Sequence, residues 1–148
     1  MGYVAEILVK LQDIKGLEIY VNWVKENIGD SIPSNRADCL NNLRSSPAIP
    51  KLIELLEISF KQVIKVDGFS PFSSKILDIF TNIALESKEN FNEVITALKG
   101  FMKNKSTISG DVKYIVYTIE HIDAQFNMKN TPSYTIEQIK EKLALLKN

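Results

Sequence analysis

Four apolar residues of this chain recur, in kind and in spacing, further along it. Ile49, Ile53, Leu56 and Phe60 return as Phe91, Ile95, Leu98 and Met102, at a constant offset of 42 residues. Intervals of four, three and four place each set on one face of an α-helix. Both stretches also begin alike: residues 43–48 close one helix and turn at Ser46-Pro47, and residues 83–90 close another and turn at Ser87. A period of this length belongs to repeats built from a helical pair, in which each unit buries its apolar face by stacking on its neighbours. Such an architecture is made for contact and not for a reaction.

The helical period continues outside the repeated stretches. Tyr3, Val4, Ile7, Leu8, Leu11 and Ile14 form one stripe, and Leu17, Tyr20, Val21, Val24 and Ile28 a second, so residues 3–28 are expected to form one helix or two in close succession around Gly16. Gly29 suits a C-terminal cap before a loop to Pro33. The next helix, about 34–44, is expected to bury Ala37, Leu40 and Leu43. Ser46 as N-cap and Pro47 in the first turn then open 47–62. Residues 63–71, with loosely alternating Val and Ile and the pair Asp67-Gly68, allow a short strand, but a fraying helix end and a loop account for them better. Ser70-Pro71 opens 71–86, buried through Phe72, Ile76, Ile79, Phe80 and Ile83. Ser87 caps 88–104. A helix of about 111–127 carries the stripe Val112, Ile115, Val116, Ile119, Ile122 and Phe126. Thr135 and Gln138 form a capping box for 135–147, where Tyr134 can staple onto Ile139 and Leu143 and Leu146 continue the stripe.

Composition narrows the function classes. The 148 residues suffice for one domain, 1–148, with a real core. Eighteen basic residues balance eighteen acidic ones, which argues against a nucleic-acid binder, because phosphate neutralisation supplies most of such affinity. A single cysteine excludes an internal disulfide, and a single histidine argues against zinc. No apolar run approaches the roughly 18 residues that span a bilayer, and the N-terminus lacks the pattern of a secretory signal. A cytoplasmic protein is expected, with no membrane partner.

Candidate chemistry is sparse. No phosphate loop, dinucleotide fingerprint, nucleophile elbow or His-Glu-x-x-His motif occurs. His121, in Ile119-Glu-His-Ile, could in principle act as a base but has no nucleophile in a suggestive motif, and reads as a surface or half-buried helix residue. Cys39 reads as a small packing residue, since Arg36 alone gives little reason for a reactive thiolate. Glu54 with Glu57, or Asp78 with Glu86, could be imagined as carboxylate pairs, but solvated helix faces explain them. Lys99, Lys103, Lys105 and Lys113 make a modest basic zone that helix C-termini favour anyway. Trp23 falls at the margin of its stripe, as a core-edge residue or an interface anchor. Phe69, Tyr114 and Tyr117 raise the same alternative. These four are the candidate partner-binding residues; no catalytic, metal or cofactor residue is assigned.

Asn22-Trp-Val-Lys-Glu-Asn, the stretch Arg36 to Glu57, Ile83-Ala-Leu-Glu-Ser-Lys-Glu-Asn-Phe, Ile119-Glu-His-Ile-Asp-Ala-Gln-Phe and Ser133-Tyr-Thr-Ile-Glu-Gln together resemble the C-terminal helical region of large bacterial NTPases of the STAND or NACHT-like type. The similarity spans most of residues 20–145 and rests on packing and capping residues. In such proteins an N-terminal part carries the effector or nucleotide-binding domain, the helical part senses or restrains, and several are linked to defence against phage. The NTPase domain of that pattern is missing here, so the resemblance implies either an excised C-terminal piece or a short stand-alone relative, a regulatory module in both cases, and transfers nucleotide binding to no residue.

The expectation is an all-α, irregular HEAT- or armadillo-like stack of about seven helices. Helices 34–44 with 47–62 and 71–86 with 88–104 are its matching pairs, and 3–28 and the pair 111–127 with 135–147 close its ends. The expected function is non-catalytic protein–protein interaction or regulation. The competing reading is a compact bundle that binds a small apolar or signalling ligand in its core.

Overall fold

A computed structural model describes residues 14–27, 34–61, 71–103, 110–129 and 135–146, and every regular element among them is helical. Helix α1 (Ile14–Glu26) buries Leu17, Tyr20, Val21 and Val24, and runs unbroken through a buried Gly16. The stripe expected over residues 3–13 and the stretch 63–70 lie outside the described residues.

Residues 34–44 do not form the expected α-helix. Ser34–Leu40 is a 3-10 segment, and 3-10-type bonds continue beyond it, from the Asn41 N–H to the Asp38 carbonyl at 3.2 Å and from the Leu43 N–H to the Leu40 carbonyl at 2.9 Å. Ser, Asn and Asp side chains compete with the helix for backbone groups, and so short a run gains too little to overcome them. Its Ala37, Cys39 and Leu40 are nevertheless buried.

The next helix also starts differently from expectation. Ser45, in extended conformation, precedes a 3-10 turn, Ser46–Ala48, without a side-chain capping bond, and α2 (Ile49–Phe60) grows from that turn. The Ala48 and Ile49 N–H groups that a Ser46 hydroxyl would cap are already taken by the Ser45 and Ser46 carbonyls, the first at 3.1 Å, and the fixed ring torsions of Pro47 and Pro50 suit the opening turns. Three later starts match expectation. Helix α3 (Pro71–Ala84) begins on its proline. Helix α4 (Lys88–Lys103) is capped by Ser87, whose Oγ accepts the Asn90 N–H at 3.1 Å. Ahead of α6 (Ile136–Leu146), the Thr135 N–H donates to Gln138 Oε1 at 2.9 Å and the Gln138 N–H to Thr135 Oγ1 at 3.2 Å, the reciprocal pair of a capping box. Helix α5 is Gly110–Lys129.

These elements form two rows. Helices α1, α2 and α4 pack in succession in one row; the 3-10 segment, α3 and α5 follow one another in the other. Side-chain contacts fix the directions. Ser59 near the end of α2 meets Ser73 at the start of α3. Phe60 and Phe101, near the ends of α2 and α4, pack edge to face at 5.1 Å, so α2 and α4 run the same way. Phe91 near the start of α4 stacks at 4.4 Å on Phe126 near the end of α5, under the Lys88 ammonium.

Helix α3 is the hub. Phe72, Ile76, Leu77, Ile79, Phe80, Ile83 and Ala84 are all buried, and it packs on the 3-10 segment, α2, α4 and α5. Full burial of one such side chain contributes about 1.5–3 kcal/mol, which explains why a helix apolar on most sides occupies the centre. Two buried polar side chains, Ser59 of α2 and Ser73 of α3, are satisfied together: Ser59 Oγ donates to the Leu56 carbonyl at 2.7 Å and lies 2.6 Å from Ser73 Oγ. Arg44 ties the chain ahead of α2 to the start of α4: its Nε lies 3.5 Å from Glu86 Oε1, and its carbonyl accepts from Asn90 Nδ2 at 3.2 Å.

Three of the four pairs at the 42-residue offset share an environment, while Ile49 is buried and its counterpart Phe91 only half-buried. Leu56 and Leu98 are both fully buried, while Ile53 and Ile95, and Phe60 and Met102, are half-buried against the same core. The two helices flank α3 from one row. The last pairing is otherwise than expected: every residue of α6 is exposed, including Ile139, Leu143 and Leu146 of the anticipated stripe. On α5, Val116 is exposed and Thr118 takes the buried place, because its hydroxyl is satisfied by donating to the Tyr114 carbonyl at 2.8 Å.

Candidate functional site

Of the four candidate partner-binding residues, the structure brings two together. Tyr114 and Tyr117 sit on α5, where it lies beside α3, and line one open groove of about 430 Å³ with Asp78, Thr81, Thr118 and His121. Trp23 belongs to the other row. It is half-buried against the core, its ring 6.3 Å from that of Tyr20, in a separate hollow with Ile19, Asn22, Glu26 and Asn27. Its carbonyl accepts both the N–H and the Nδ2 of Asn27, at 3.0 and 2.9 Å, which closes the end of α1. Phe69 lies outside the described residues.

Helical spacing assembles the groove. Tyr114, Tyr117 or Thr118, and His121 follow at intervals of three and four along α5, and Asp78 and Thr81 at an interval of three along α3, so each helix turns one edge of its polar side to the other. Tyr114 anchors the floor: half-buried, its hydroxyl lies 3.0 Å from Ser74 Oγ on α3. Tyr117, one turn away, is 66% exposed. Both threonines have committed their protons to backbone carbonyls, Thr81 to Leu77 at 3.1 Å and Thr118 to Tyr114.

The electrostatics centre on Asp78. Burial along the groove pushes its carboxyl above the usual range, and the charges of Lys75 and His121 pull it back in part. Lys75 itself lies 3.6 Å from an Asp38 carboxylate oxygen on the 3-10 segment. Among the described residues no ion pair closes on Asp78.

Sequence reasoning treated Asp78 as half of an imagined pair with Glu86 and His121 as an isolated helix residue. The structure separates Asp78 from Glu86, which pairs with Arg44, and sets Asp78 in one groove with His121. The spacing of polar residues beside the apolar stripe of α5 was the available signal, but which helix lies opposite is a tertiary fact. Cys39 is buried as a packing residue. Lys99, Lys103 and Lys113 are exposed, with Lys105 outside the described residues. Among the described residues no group of three His, Cys, Asp or Glu is placed to hold a metal ion, and no helix is long and apolar enough to cross a membrane.

No protein-family model, curated protein or solved structure matches this chain.

Proposed function

We propose that this chain is a non-catalytic protein-recognition or regulatory module of the HEAT-like kind, cytoplasmic, whose contact surface is the face of α3 and α5 around Tyr117. The observation that carries this reading is the exposure of Tyr117 on a helix fixed from below. Tyr114 and Thr118, its neighbours on either side, hold α5 against the core through a hydroxyl contact to α3 and burial. A rigidly mounted, solvent-exposed tyrosine offers large contact area at small entropic cost, and tyrosine is enriched where proteins meet. The two rows of helices, with α2 and α4 running the same way, support a stacked architecture. The resemblance to the sensing region of bacterial defence NTPases supports a regulatory role.

The test is site-specific photo-crosslinking in cells. A benzophenone amino acid placed at Tyr117 is expected to capture a discrete protein that the same group at Lys99, exposed on α4, does not capture. Identical adducts at both positions, or none at Tyr117, would reject this surface.

A further inference from the structure

The hydrogen-bond accounting of the α3/α5 groove says what chemistry it accepts. A hydroxyl normally offers both a proton and lone pairs. Here Thr81 Oγ1 gives its proton to the Leu77 carbonyl at 3.1 Å and Thr118 Oγ1 gives its own to the Tyr114 carbonyl at 2.8 Å. What these two residues present to the groove is therefore acceptor capacity alone. Asp78 adds a carboxylate, an acceptor when ionised. The cation nearest in sequence, Lys75, is turned to Asp38 at 3.6 Å. Tyr117 contributes an exposed aromatic ring, whose face carries the negative end of its quadrupole. His121 lines the same groove and, with Lys75, offsets part of the Asp78 charge, but burial outweighs both. The acceptors, the carboxylate and the aromatic face that remain, in a groove open along one side, complement a group that is cationic, rich in donors and carried on an extended stem.

We infer that the groove lined by Asp78, Thr81, Tyr117 and Thr118 binds a basic side chain, arginine or lysine, from an extended segment of a protein partner. The inference rests on the recognition role proposed above and specifies its chemistry. The guanidinium or ammonium lies against the Asp78 carboxylate, donates to the threonine oxygens and packs its charge on the Tyr117 ring. Exposed ion pairs and exposed cation–π contacts are individually weak, so the groove selects one anchor within a larger contact and does not by itself hold a partner tightly. The raised Asp78 carboxyl agrees with this: partial burial has taken water from a charge that its neighbours compensate incompletely.

Titrating the isotopically labelled chain with capped five-residue peptides, Gly-Gly-X-Gly-Gly, tests the assignment by backbone-amide NMR shifts. Peptides with X as arginine and lysine are expected to move the amides of Asp78, Tyr117, Thr118 and His121. Citrulline, isosteric with arginine but neutral, is expected to bind about fivefold more weakly, and glutamate not to bind. Asp78→Asn is expected to lower arginine-peptide affinity about fivefold with the fold intact by circular dichroism, and Tyr117→Ala to lower it about threefold where Tyr117→Phe retains it. Equal shifts from citrulline and arginine, or arginine shifts that persist undiminished in Asp78→Asn, would overturn cation selection. So would silence of the groove toward both basic peptides. Those results leave the recognition surface standing if crosslinking at Tyr117 still captures its partner, whereas loss of the crosslink removes the surface itself.

Discussion

Single positions carry both unused stability and the mark of function. Gly100 lies exposed in the last turns of α4, and a methyl group added there would meet nothing within 4 Å beyond its chain neighbours and its own helix backbone. Gly100→Ala is therefore expected to raise stability by about 0.5–1 kcal/mol, read as a shifted urea midpoint at unchanged slope. Asp78 behaves in the opposite sense. Its folded carboxyl titrates above its ordinary value, so the native state keeps that proton after the unfolded chain has lost it. Stability is lost as pH rises from the ordinary value through the raised one, and stays lost above it. Asp78→Asn removes that loss. Its melting temperature should match the wild type below the ordinary carboxylate range and exceed it at pH 7, and a variant less stable than wild type at pH 7 would contradict this assignment. Phe72, Ile76, Ile79, Phe80 and Ile83 of α3 were legible from sequence because periodicity selects them, whereas Leu77 and Ala84 are buried because neighbours pack on more than one side of the helix. Thr118 was not legible, since its burial depends on a bond to its own helix that periodicity does not register. The groove was not either, because Asp78 and His121 are 43 positions apart and only packing sets α3 beside α5.

At the scale of elements, sequence signals were reliable where the backbone chemistry is local. The Ser87 cap, the start of α3 on Pro71 and the Thr135–Gln138 box appear in the structure where their residue types place them. They failed where two local preferences conflict, as in the 3-10 segment at 34–40 and the proline-led turn before α2. Helix α6 shows a different limit: a good cap and a regular stripe specify a helix, but not that anything covers it. None of its residues is buried, so it adds little to the stability of the remainder. Ending the chain after residue 134 is expected to leave the melting temperature within about 2 °C of the full chain, while helical ellipticity falls by the share of α6. A large drop in melting temperature would mean that α6 is held by the core after all. Isolated helices this short are marginal in water, and the Thr135–Gln138 box stabilises the start of α6.

Across the whole molecule, the paired positions of α2 and α4 predict matched energetics. Leu56 and Leu98 are both fully buried on helices that flank α3 from the same row. Leu56→Ala and Leu98→Ala should each cost about 3 kcal/mol by chemical denaturation, and each should lower a single cooperative transition and not split it. A biphasic curve for either variant would show that the two flanks unfold separately. The reason to expect one transition is α3, which packs on α2 and α4 alike and on α5 besides. The same arrangement bears on divisibility. The 42-residue period invites a cut near residue 87, between two stretches that look like interchangeable parts. A chain severed there would strip α4 and α5 from α3 and open its Phe80 and Ile83 environment to water, leaving both products without a closed interior. Likeness of pattern does not make these units portable: they share one helix, and neither can be lifted out with its core.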